Sequence, residues 1–308
     1  MTKKESNVFI LGMPRSGTTL ISNMLNASKQ IYIGPETHFY HVLDVWQNKK
    51  RKFLIKKDFI TYFFDSNSNP YLQYLGLSQK ELDVLKRSSY NGEKSILELL
   101  CVFEANKKGI LKWGEKTPGH FEYVEKIYED HLNSKIINIV RDPRDVFLSL
   151  SKVNWSNKNP LKFCLRFKKN IELIKKFKSN VSFINIKYED LLLNPDETIK
   201  GVCLFSEIEY SNNILENFNN NDSINYDVKK EPWKANNTGK LNSINFGKWK
   251  NDISNQKTYS FISWFLKDEL NYLGYEIENN NCLIDNLVIY GRMKIKGVIT
   301  RSKRFILK

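Results

Sequence analysis

The sequence has few cysteines, and those it has lie far apart. None of the four forms a Cys-x-x-Cys pair or lies beside a histidine cluster, which excludes metal and redox sites of that spacing. We therefore expect buried free thiols at these positions. The four residues are Cys101, Cys164, Cys203 and Cys282.

Long apolar runs are also missing. No stretch approaches the roughly 20 apolar residues that cross a bilayer, and residues 1–7 are polar, without the apolar region of a signal peptide. We therefore expect a cytoplasmic protein. With 308 residues, 41% of them hydrophobic and 13% aromatic, the chain can bury one large core. We predict a single domain over residues 1–290.

Acidic residues are under-represented, because 34 Asp and Glu accompany 48 Lys and Arg and give a formal charge of +14. This charge suits a polyanionic ligand, a nucleic acid or an anionic membrane surface. The many Lys, Asn and Ile residues are also what a biased genome base composition produces. The basic residues are dispersed and form no basic–aromatic recognition string, which argues against a nucleic-acid partner.

The stretch that organises the chain lies at residues 8–25. Residues 8–11 predict a buried strand, Gly12 and Gly17 permit a tight turn, and the apolar spacing over residues 20–25 predicts an amphipathic helix. A helix start offers unpaired N–H groups and the positive end of the helix dipole. The pattern predicts a site for anionic oxygens, although it also occurs as a simple packing turn.

This turn lacks the Gly-Lys-Ser/Thr ending of nucleoside-triphosphate loops, whose lysine reaches the terminal phosphates and whose hydroxyl holds magnesium. Arg15 lies inside the turn instead and can bind two phosphate oxygens without a metal. A P-loop kinase would need the missing lysine and a magnesium-binding carboxylate after a strand. Asp142 is the only candidate for that carboxylate.

The string Pro-Arg-Ser-Gly-Thr-Thr at residues 14–19 resembles the 5′-phosphosulfate loop of sulfotransferases that use 3′-phosphoadenosine 5′-phosphosulfate (PAPS). Later segments resemble the same family, in the same order, over about residues 7–250. The resemblance is to bacterial members, with some similarity to the tyrosyl-protein sulfotransferase branch. Alternating strands and helices also predict an α/β fold, and the family implies a P-loop-type parallel β-sheet flanked by helices.

The second segment, Gly-Pro-Glu-Thr, begins at the end of an extended stretch at residues 31–35 and leads into a predicted helix. By local pattern Glu36 is a carboxylate at a helix start, where it stabilises the dipole. The resemblance implies that Glu36 is the catalytic base. Several branches of the family use a histidine, so His38 is the alternative base, with Glu36 orienting it.

The third segment, Glu-Lys-Thr-Pro, follows a predicted strand that stops at Gly114. Pro118 suits the first turn of the next helix. By local pattern Lys116 is an ordinary solvent-facing lysine. The resemblance implies that it approaches the bridging oxygen of the phosphosulfate. The predicted catalytic residues are Glu36, Lys116, Arg15 and, as alternative base, His38.

The fourth segment begins with a buried-strand pattern at residues 135–140, followed by Arg-Asp-Pro. Asp142 can cap the helix that Pro143 begins. The resemblance implies that Arg141 and Ser149, eight residues later, bind the 3′-phosphate of PAPS. Both residue types and their spacing match the family.

Two later residues complete the predicted cofactor site. Tyr188, in a Tyr-Glu-Asp-Leu string after a predicted strand at residues 181–186, resembles a nucleotide-contacting tyrosine, although aromatic packing would also explain it. Lys248, in a Gly-Lys-Trp string, resembles the segment that closes over PAPS. The residues that the resemblance assigns to the cofactor are Pro14, Arg15, Ser16, Gly17, Thr18, Thr19, Arg141, Ser149, Tyr188 and Lys248.

Outside these segments we predict a helical cap insertion at residues 46–108, with a capping box that begins at Ser78. A polar loop and lid are predicted at residues 218–250, and an amphipathic helix at residues 256–273. Residues 291–308 are basic with apolar residues interleaved. They form either a weakly ordered tail or an interfacial helix on anionic lipid.

The prediction is therefore a PAPS-dependent sulfotransferase that needs no metal. Its partner is a hydroxyl-bearing acceptor, a carbohydrate or glycolipid, with a peptide tyrosine or a small alcohol as the alternative. Peripheral membrane contact through the basic tail is the remaining expectation.

Overall fold

The computed structural model describes residues 7–52, 57–91, 95–219, 241, 246–277 and 291. These residues form two compact units. The first contains the residues up to Val140 and those between Lys176 and Asn242, and the second contains those from Arg141 to Lys175 and those after Asn242. Cys282, most of the predicted loop and the predicted tail after Gly291 lie outside the described residues.

The first unit is built on a parallel five-stranded sheet with the strand order β2-β3-β1-β4-β5. The strands are β1 (Val8–Gly12), β2 (Ile31–Ile33), β3 (Lys112–Lys116), β4 (Lys135–Val140) and β5 (Phe183–Lys187). Every residue of β1 is buried, as are five of the six in β4. Parallel strands covered on both faces are expected to be such continuous apolar runs. The predicted α/β fold with a parallel sheet is confirmed.

Parallel pairing brings the carboxyl ends of all five strands to one edge of the sheet. Ile10 of β1 is in register with Lys116, the last residue of β3, and Gly12 with Ile139 near the end of β4. Ligands of open α/β sheets bind at this edge. The turns that follow the strands therefore carry the candidate site.

Gly114 lies inside β3, so the prediction that the strand stops at this glycine is wrong. A Cβ at this position would lie 2.8 Å from Cγ1 of Ile33 and 2.9 Å from the carbonyl oxygen of Val8. The glycine thus permits close packing of three neighbouring strands. Only because the strand continues does Lys116 reach the carboxyl edge.

The described residues also form helices in both units, including those of the predicted cap. They are α1 (Thr18–Asn26), α2 (Phe39–Arg51), α3 (Phe59–Phe63), α4 (Gln79–Tyr90), α5 (Ile96–Lys107), α6 (Val124–Asp130), α7 (Pro143–Ser151), α8 (Pro160–Phe177), α9 (Tyr188–Leu193), α10 (Pro195–Phe205), α11 (Asn213–Asn219), α12 (Gln256–Phe265) and α13 (Lys267–Leu273). Further 3₁₀ helices lie at Pro70–Tyr74, Pro118–Tyr123, Lys248–Asn251 and Ile253–Asn255. Within the first unit, α1 and α5 pack against the sheet.

The cap between β2 and β3 is helical, as predicted, although its predicted start near residue 46 falls inside α2, the helix expected after the Glu36 segment. The capping box at the start of α4 is present, with Ser78 and Glu81 binding each other's backbone N–H groups. Lys107 of α5 donates to Glu81 at 2.8 Å, which joins the two helices. The sequence therefore predicted the helical character of this insertion but not its first boundary.

Two boundaries late in the chain differ from the predictions. Residues 218 and 219 still belong to α11, so the predicted loop begins later. The predicted single helix at residues 256–273 is two helices, α12 and α13, separated at Leu266. Leu266 is completely buried, and its non-helical backbone redirects the chain while the side chain stays in the core of the second unit.

Two further predictions concern the described part of the chain. Cys101, Cys164 and Cys203 are buried and free, as expected. No helix among the described residues is long and apolar enough to cross a membrane. The single-domain prediction stays a prediction.

Candidate active site

The turn between β1 and α1 has backbone conformations that side chains rarely adopt. Arg15 has a φ of 73° and Gly17 a φ of 107°. A Cβ on Gly17 would lie 2.4 Å from the ring of Tyr188, so only glycine fits there. Tyr188 is the first residue of α9 and is buried against the turn. The aromatic packing predicted as the alternative role of this tyrosine is thus present.

The same turn is suited to an anion. Helix α1 has no acidic residue in its first turn and no side-chain cap at its amino end. The hydroxyl of Ser16 is completely buried, and within the described part of the chain it has no hydrogen-bond partner. Unpaired N–H groups at a helix start favour phosphate and sulfate oxygens. The residues predicted at positions 14–19 therefore fit the 5′-phosphosulfate group.

A lysine–glutamate pair lies at the carboxyl edge of the sheet, in the same unit as this turn. Lys116 ends β3 and is 1% exposed. Its Nζ donates to Oε1 of Glu36, in the segment after β2, at 2.6 Å. Burial of an ammonium group is costly unless a carboxylate compensates the charge. The prediction from local pattern, that Lys116 is an ordinary solvent-facing lysine, is therefore wrong.

The two candidate bases lie side by side. Nε2 of His38 is 3.4 Å from Oε2 of Glu36, whose other oxygen accepts from Lys116. His38 has a φ of 51° and is the residue before α2, so the predicted helix begins later than expected. Its ring is stacked on that of Tyr71, with centroids 3.9 Å apart and an interplanar angle of 20°. Tyr71, from the cap, was not identified from the sequence.

The second unit contains the predicted 3′-phosphate residues. Arg141 follows β4 in the chain, and its Nη2 lies 3.8 Å from Oδ2 of Asp145. Ser149 is half-buried on α7, two turns beyond the start of that helix. Asp142 caps α7 as predicted, because its Oδ1 accepts from the N–H of Arg144 at 2.9 Å. The expected cap and helix are confirmed.

Asp145 holds the later Gly-Lys-Trp segment against α7. Its carboxylate accepts from the N–H groups of Gly247 at 2.6 Å and Trp249 at 3.0 Å. Burial raises the pKa of Asp145, and the nearby Arg141 and these two N–H groups oppose that rise without cancelling it. Lys248, between the two bound residues, is exposed. The structure thus brings Lys248 to the helix that carries Ser149.

Arg144 is a structural residue that no motif in the sequence indicated. Its guanidinium forms two hydrogen bonds with Asp142, at 2.9 and 2.7 Å, and donates to the carbonyl of Glu276 at 2.8 Å. It also lies 3.9 Å from the centroid of the Trp249 ring. These contacts hold the Trp249 segment in place within the second unit.

The site residues therefore fall into two groups. Glu36, His38, Lys116 and the turn at residues 14–19 belong to the first unit, whereas Arg141, Ser149 and Lys248 belong to the second. Among the described residues no group of three His, Cys, Asp or Glu side chains is arranged to hold a metal ion.

Comparison with known sequences gives a family and two informative relatives. An uncharacterized protein of Aquifex aeolicus is 24% identical over 269 residues, which are 82% of this chain and 30% of that protein. The chain thus matches less than a third of the length of this relative. A putative protein-tyrosine sulfotransferase of Caenorhabditis briggsae is 26% identical over 219 residues, which are 68% of this chain and 69% of that protein.

Solved structures with the same fold include two sulfotransferase domains. The domain from the curacin biosynthetic pathway has a TM-score of 0.60 and 18% identity, covering 90% of this chain and 100% of that domain. The domain from the olefin synthase of Synechococcus PCC 7002 has a TM-score of 0.57 and 15% identity, covering 96% and 97%. The model of the sulfotransferase family matches residues 7–212, about two thirds of the chain. The chain therefore belongs to the sulfotransferase family.

Proposed function

We propose that the chain transfers the sulfuryl group of PAPS to a hydroxyl acceptor. The observation that carries this proposal is the pair of buried Lys116 and half-buried Glu36, 2.6 Å apart, in the unit that also holds the anion-binding turn. A lysine suits the charge of a leaving phosphate, and a carboxylate suits the proton of an attacking hydroxyl. Both groups would serve sulfuryl transfer, and membership of the sulfotransferase family supports the assignment.

The proposed reaction is an in-line displacement. Glu36 takes the hydroxyl proton while the acceptor oxygen forms its bond to sulfur. Lys116 and the N–H groups of the turn stabilise the negative charge that develops as the bond from sulfur to the phosphate oxygen breaks. The leaving group is adenosine 3′,5′-bisphosphate (PAP). Because an ammonium group has three protons, Lys116 can donate to more than one acceptor during this step.

The second unit supplies the proposed selectivity for the donor. Arg141 and Ser149 are assigned to the 3′-phosphate, with Lys248 as a further positive charge. An arginine forms strong, charge-assisted hydrogen bonds with phosphate, and its planar group can bind two oxygens. The support is that Asp145 both faces Arg141 and fixes the backbone on either side of Lys248.

The proposed acceptor is a carbohydrate or glycolipid hydroxyl. Its support is the pair of stacked rings, His38 and Tyr71, beside Glu36, which offers a flat aromatic surface next to the proposed base. The same surface would also suit a tyrosine ring, as the name of the Caenorhabditis briggsae relative suggests for that protein. The acceptor therefore has to be identified by labelling.

Nucleotide binding tests the donor assignment. We expect calorimetric titration with EDTA present to give a far higher affinity for PAP than for ADP or ATP. Arg141→Ala should weaken PAP binding by roughly ten- to a hundredfold, equivalent to about 1.5–3 kcal/mol. Lys162→Ala, which removes an exposed charge on α8, is the matched control and should leave the affinity unchanged. Equal affinity for all three nucleotides, or a requirement for magnesium, would contradict the assignment.

Labelling tests the reaction and the acceptor together. The protein is incubated with ³⁵S-labelled PAPS and a cell extract, and the labelled product is digested with glycosidases or proteases. Label released by glycosidases supports a carbohydrate or glycolipid acceptor, whereas label in a peptide tyrosine supports the alternative. A protein that binds PAP but labels nothing above the level of Glu36→Gln would contradict the proposed transfer.

A further inference from the structure

A second carboxylate lies under the candidate active site and has no part in the proposed reaction. Glu115 precedes Lys116 on β3 and is only 1% exposed. A buried carboxylate is tolerated when several donors satisfy its oxygens. The partners of Glu115 therefore indicate what this charge does in the protein.

Three side chains surround the Glu115 carboxylate. The hydroxyls of Thr37 and Thr117 donate to Oε1, at 2.9 and 2.5 Å, and Nδ1 of His120 lies 3.0 Å from Oε2. Burial raises the pKa of Glu115, whereas His120 and these hydrogen bonds lower it, and the net shift is downward. The carboxylate is thus held in its charged form.

The two threonines also reach the backbone at the start of α2. Oγ1 of Thr117 accepts from the N–H of His38 at 3.3 Å, and Oγ1 of Thr37 accepts from the N–H of Phe39 at 3.3 Å. These N–H groups belong to the residue before α2 and to its first residue, which have no acceptor inside the helix. Each hydroxyl therefore connects one backbone N–H to the buried carboxylate.

His120 makes the third connection. Its Nε2 accepts from the N–H of Tyr40, the second residue of α2, at 3.4 Å. Because Nε2 accepts, the proton of the neutral imidazole is on Nδ1, which faces Glu115 and donates to it. Three consecutive N–H groups at the start of α2 are thus satisfied by side chains that Glu115 holds.

We propose that Glu115 is a positioning residue, which caps α2 through three relayed hydrogen bonds and so fixes the backbone that presents Glu36 to Lys116. This inference rests on the proposed function, because it takes Glu36 and Lys116 as the reacting pair. His38, in its left-handed conformation between Glu36 and α2, is held by the same connections. The capping is indirect, whereas α3, α4 and α5 are each capped by the side chain of one residue.

Histidine NMR tests the connections without any assay of activity. The chain has four histidines, so a sample with ¹⁵N-labelled imidazoles gives few signals, and His120→Gln assigns the one of interest. We expect the Nδ1–H tautomer for His120 in the wild type. In Glu115→Gln the new amide would donate to Nδ1 and shift the proton to Nε2. A wild-type His120 with the proton on Nε2 would overturn the proposal.

A matched pair of threonine variants tests positioning. Thr117→Val keeps the shape but removes the hydroxyl, and we expect faster amide hydrogen exchange in residues 38–40 and at least a tenfold lower rate of label transfer from ³⁵S-PAPS. PAP affinity should stay within twofold. Thr117→Ser restores the hydroxyl and should recover most of the rate and of the protection. Ser95→Ala removes the direct cap of α5 and should lower thermal stability with no change in rate.

A double variant separates positioning from a general loss of structure. In the Glu36→Gln background Thr117→Val should cause no further loss of rate, because the group it positions is already absent. An equal further loss in that background, or full activity of Thr117→Val alone, would overturn the inference. If the wild type transfers no label at all, the proposed function fails, whereas the tautomer and exchange measurements still decide whether Glu115 caps α2.

Discussion

Each oxygen of the Glu36 carboxylate lies beside a different side chain. Lys116 donates to one of its oxygens, and His38 lies beside the other. Glu36→Gln keeps the size of the side chain but cannot take a proton, so we expect turnover to fall by about 10²–10⁴-fold. PAP affinity, measured by calorimetry, should change little because the side chain is assigned to the acceptor.

His38→Ala decides between the two candidate bases. If Glu36 is the base, this variant should lose turnover moderately, since the ring that adjoins the carboxylate is gone. The roles are reversed if His38→Ala abolishes turnover while Glu36→Gln stays within a few-fold of the wild type. A large loss of PAP affinity in Glu36→Gln would instead mean that the carboxylate only maintains the turn.

Lys116 offers the complementary test. Lys116→Met keeps an apolar chain of similar length and removes the charge assigned to the leaving phosphate, so turnover should fall by 10²-fold or more. Lys126→Met is the control, because Lys126 also pairs with carboxylates but on an exposed surface of α6. Steady-state rates of the two variants, with their melting temperatures, check this. Similar losses in both would contradict a catalytic role for Lys116.

The sequence indicated the candidate reacting residues but not the side chains that support them. Glu36, Lys116 and the turn at residues 14–19 lie in local strings that resemble a known family, so each could be named without a structure. Glu115 could not, because its partners Thr37 and His120 come from segments far apart in the chain. Side chains that meet only through the pairing of strands leave no periodic signal in the sequence.

At the scale of elements, the packing of β3 between its neighbouring strands depends on Gly114, which has no side chain. We expect Gly114→Ala to destabilise the protein by about 1–3 kcal/mol, since its Cβ would meet Ile33 and the backbone of Val8 at less than 3 Å. Gly201→Ala is the matched control, because it is inside α10 and, apart from the adjacent backbone of that helix, no atom lies within 4 Å of its Cβ. That variant should be neutral or stabilising, by up to about 1 kcal/mol.

Urea denaturation of both glycine variants measures the difference. A Gly114→Ala protein as stable as the wild type would show that β2 and β3 can separate without cost. Because Lys116 lies two residues beyond Gly114, a shift of the strand should also lower turnover. If Gly114→Ala is as stable as the wild type but has reduced turnover, the substitution affects only the position of Lys116 and not the stability of the sheet.

Elements with one dominant pattern were predicted well, and elements with mixed patterns were not. The continuous apolar runs of β1 and β4 indicated buried strands, whereas the glycine in β3 was taken as its end. The apolar period over residues 256–273 continues through Leu266, so the break between α12 and α13 is invisible in it. The break accompanies the burial of Leu266 in the core, and the apolar periodicity of the sequence does not predict it.

At the scale of the whole molecule, Glu115 should make stability depend on pH. Its folded-state pKa lies below the ordinary value of about 4.5, so its ionisation stabilises the fold above that pH. This contribution is lost as the pH falls through the folded-state pKa. The difference in free energy of unfolding between wild type and Glu115→Gln should therefore be constant from pH 7 to 5 and shrink below pH 4.5.

Urea titrations at several pH values check this prediction. Asp145, whose pKa is shifted upward, has the opposite pH dependence but is present in both proteins and cancels in the comparison. A difference that stays constant down to the acid limit of folding would show that Glu115 is not ionised in the folded protein.

The excess of positive charge leads to a prediction about location. Residues 291–308 contain basic and apolar residues and no acidic ones, and we propose that they contact anionic lipid. Deletion from Gly291 onward should reduce flotation with vesicles that contain phosphatidylserine and leave PAP affinity unchanged. Flotation that persists after the deletion, or that does not require anionic lipid, would contradict the proposal.

The contact of Tyr188 with the turn has an evolutionary consequence. Since the ring fills the space that any side chain at position 17 would need, residue 17 can gain a side chain only where residue 188 is smaller than tyrosine. A relative with alanine in place of Gly17 should carry a smaller residue than tyrosine at the position of Tyr188, and the two changes should be inherited as a pair. The positive φ at residue 17 would limit even this exchange to small residues.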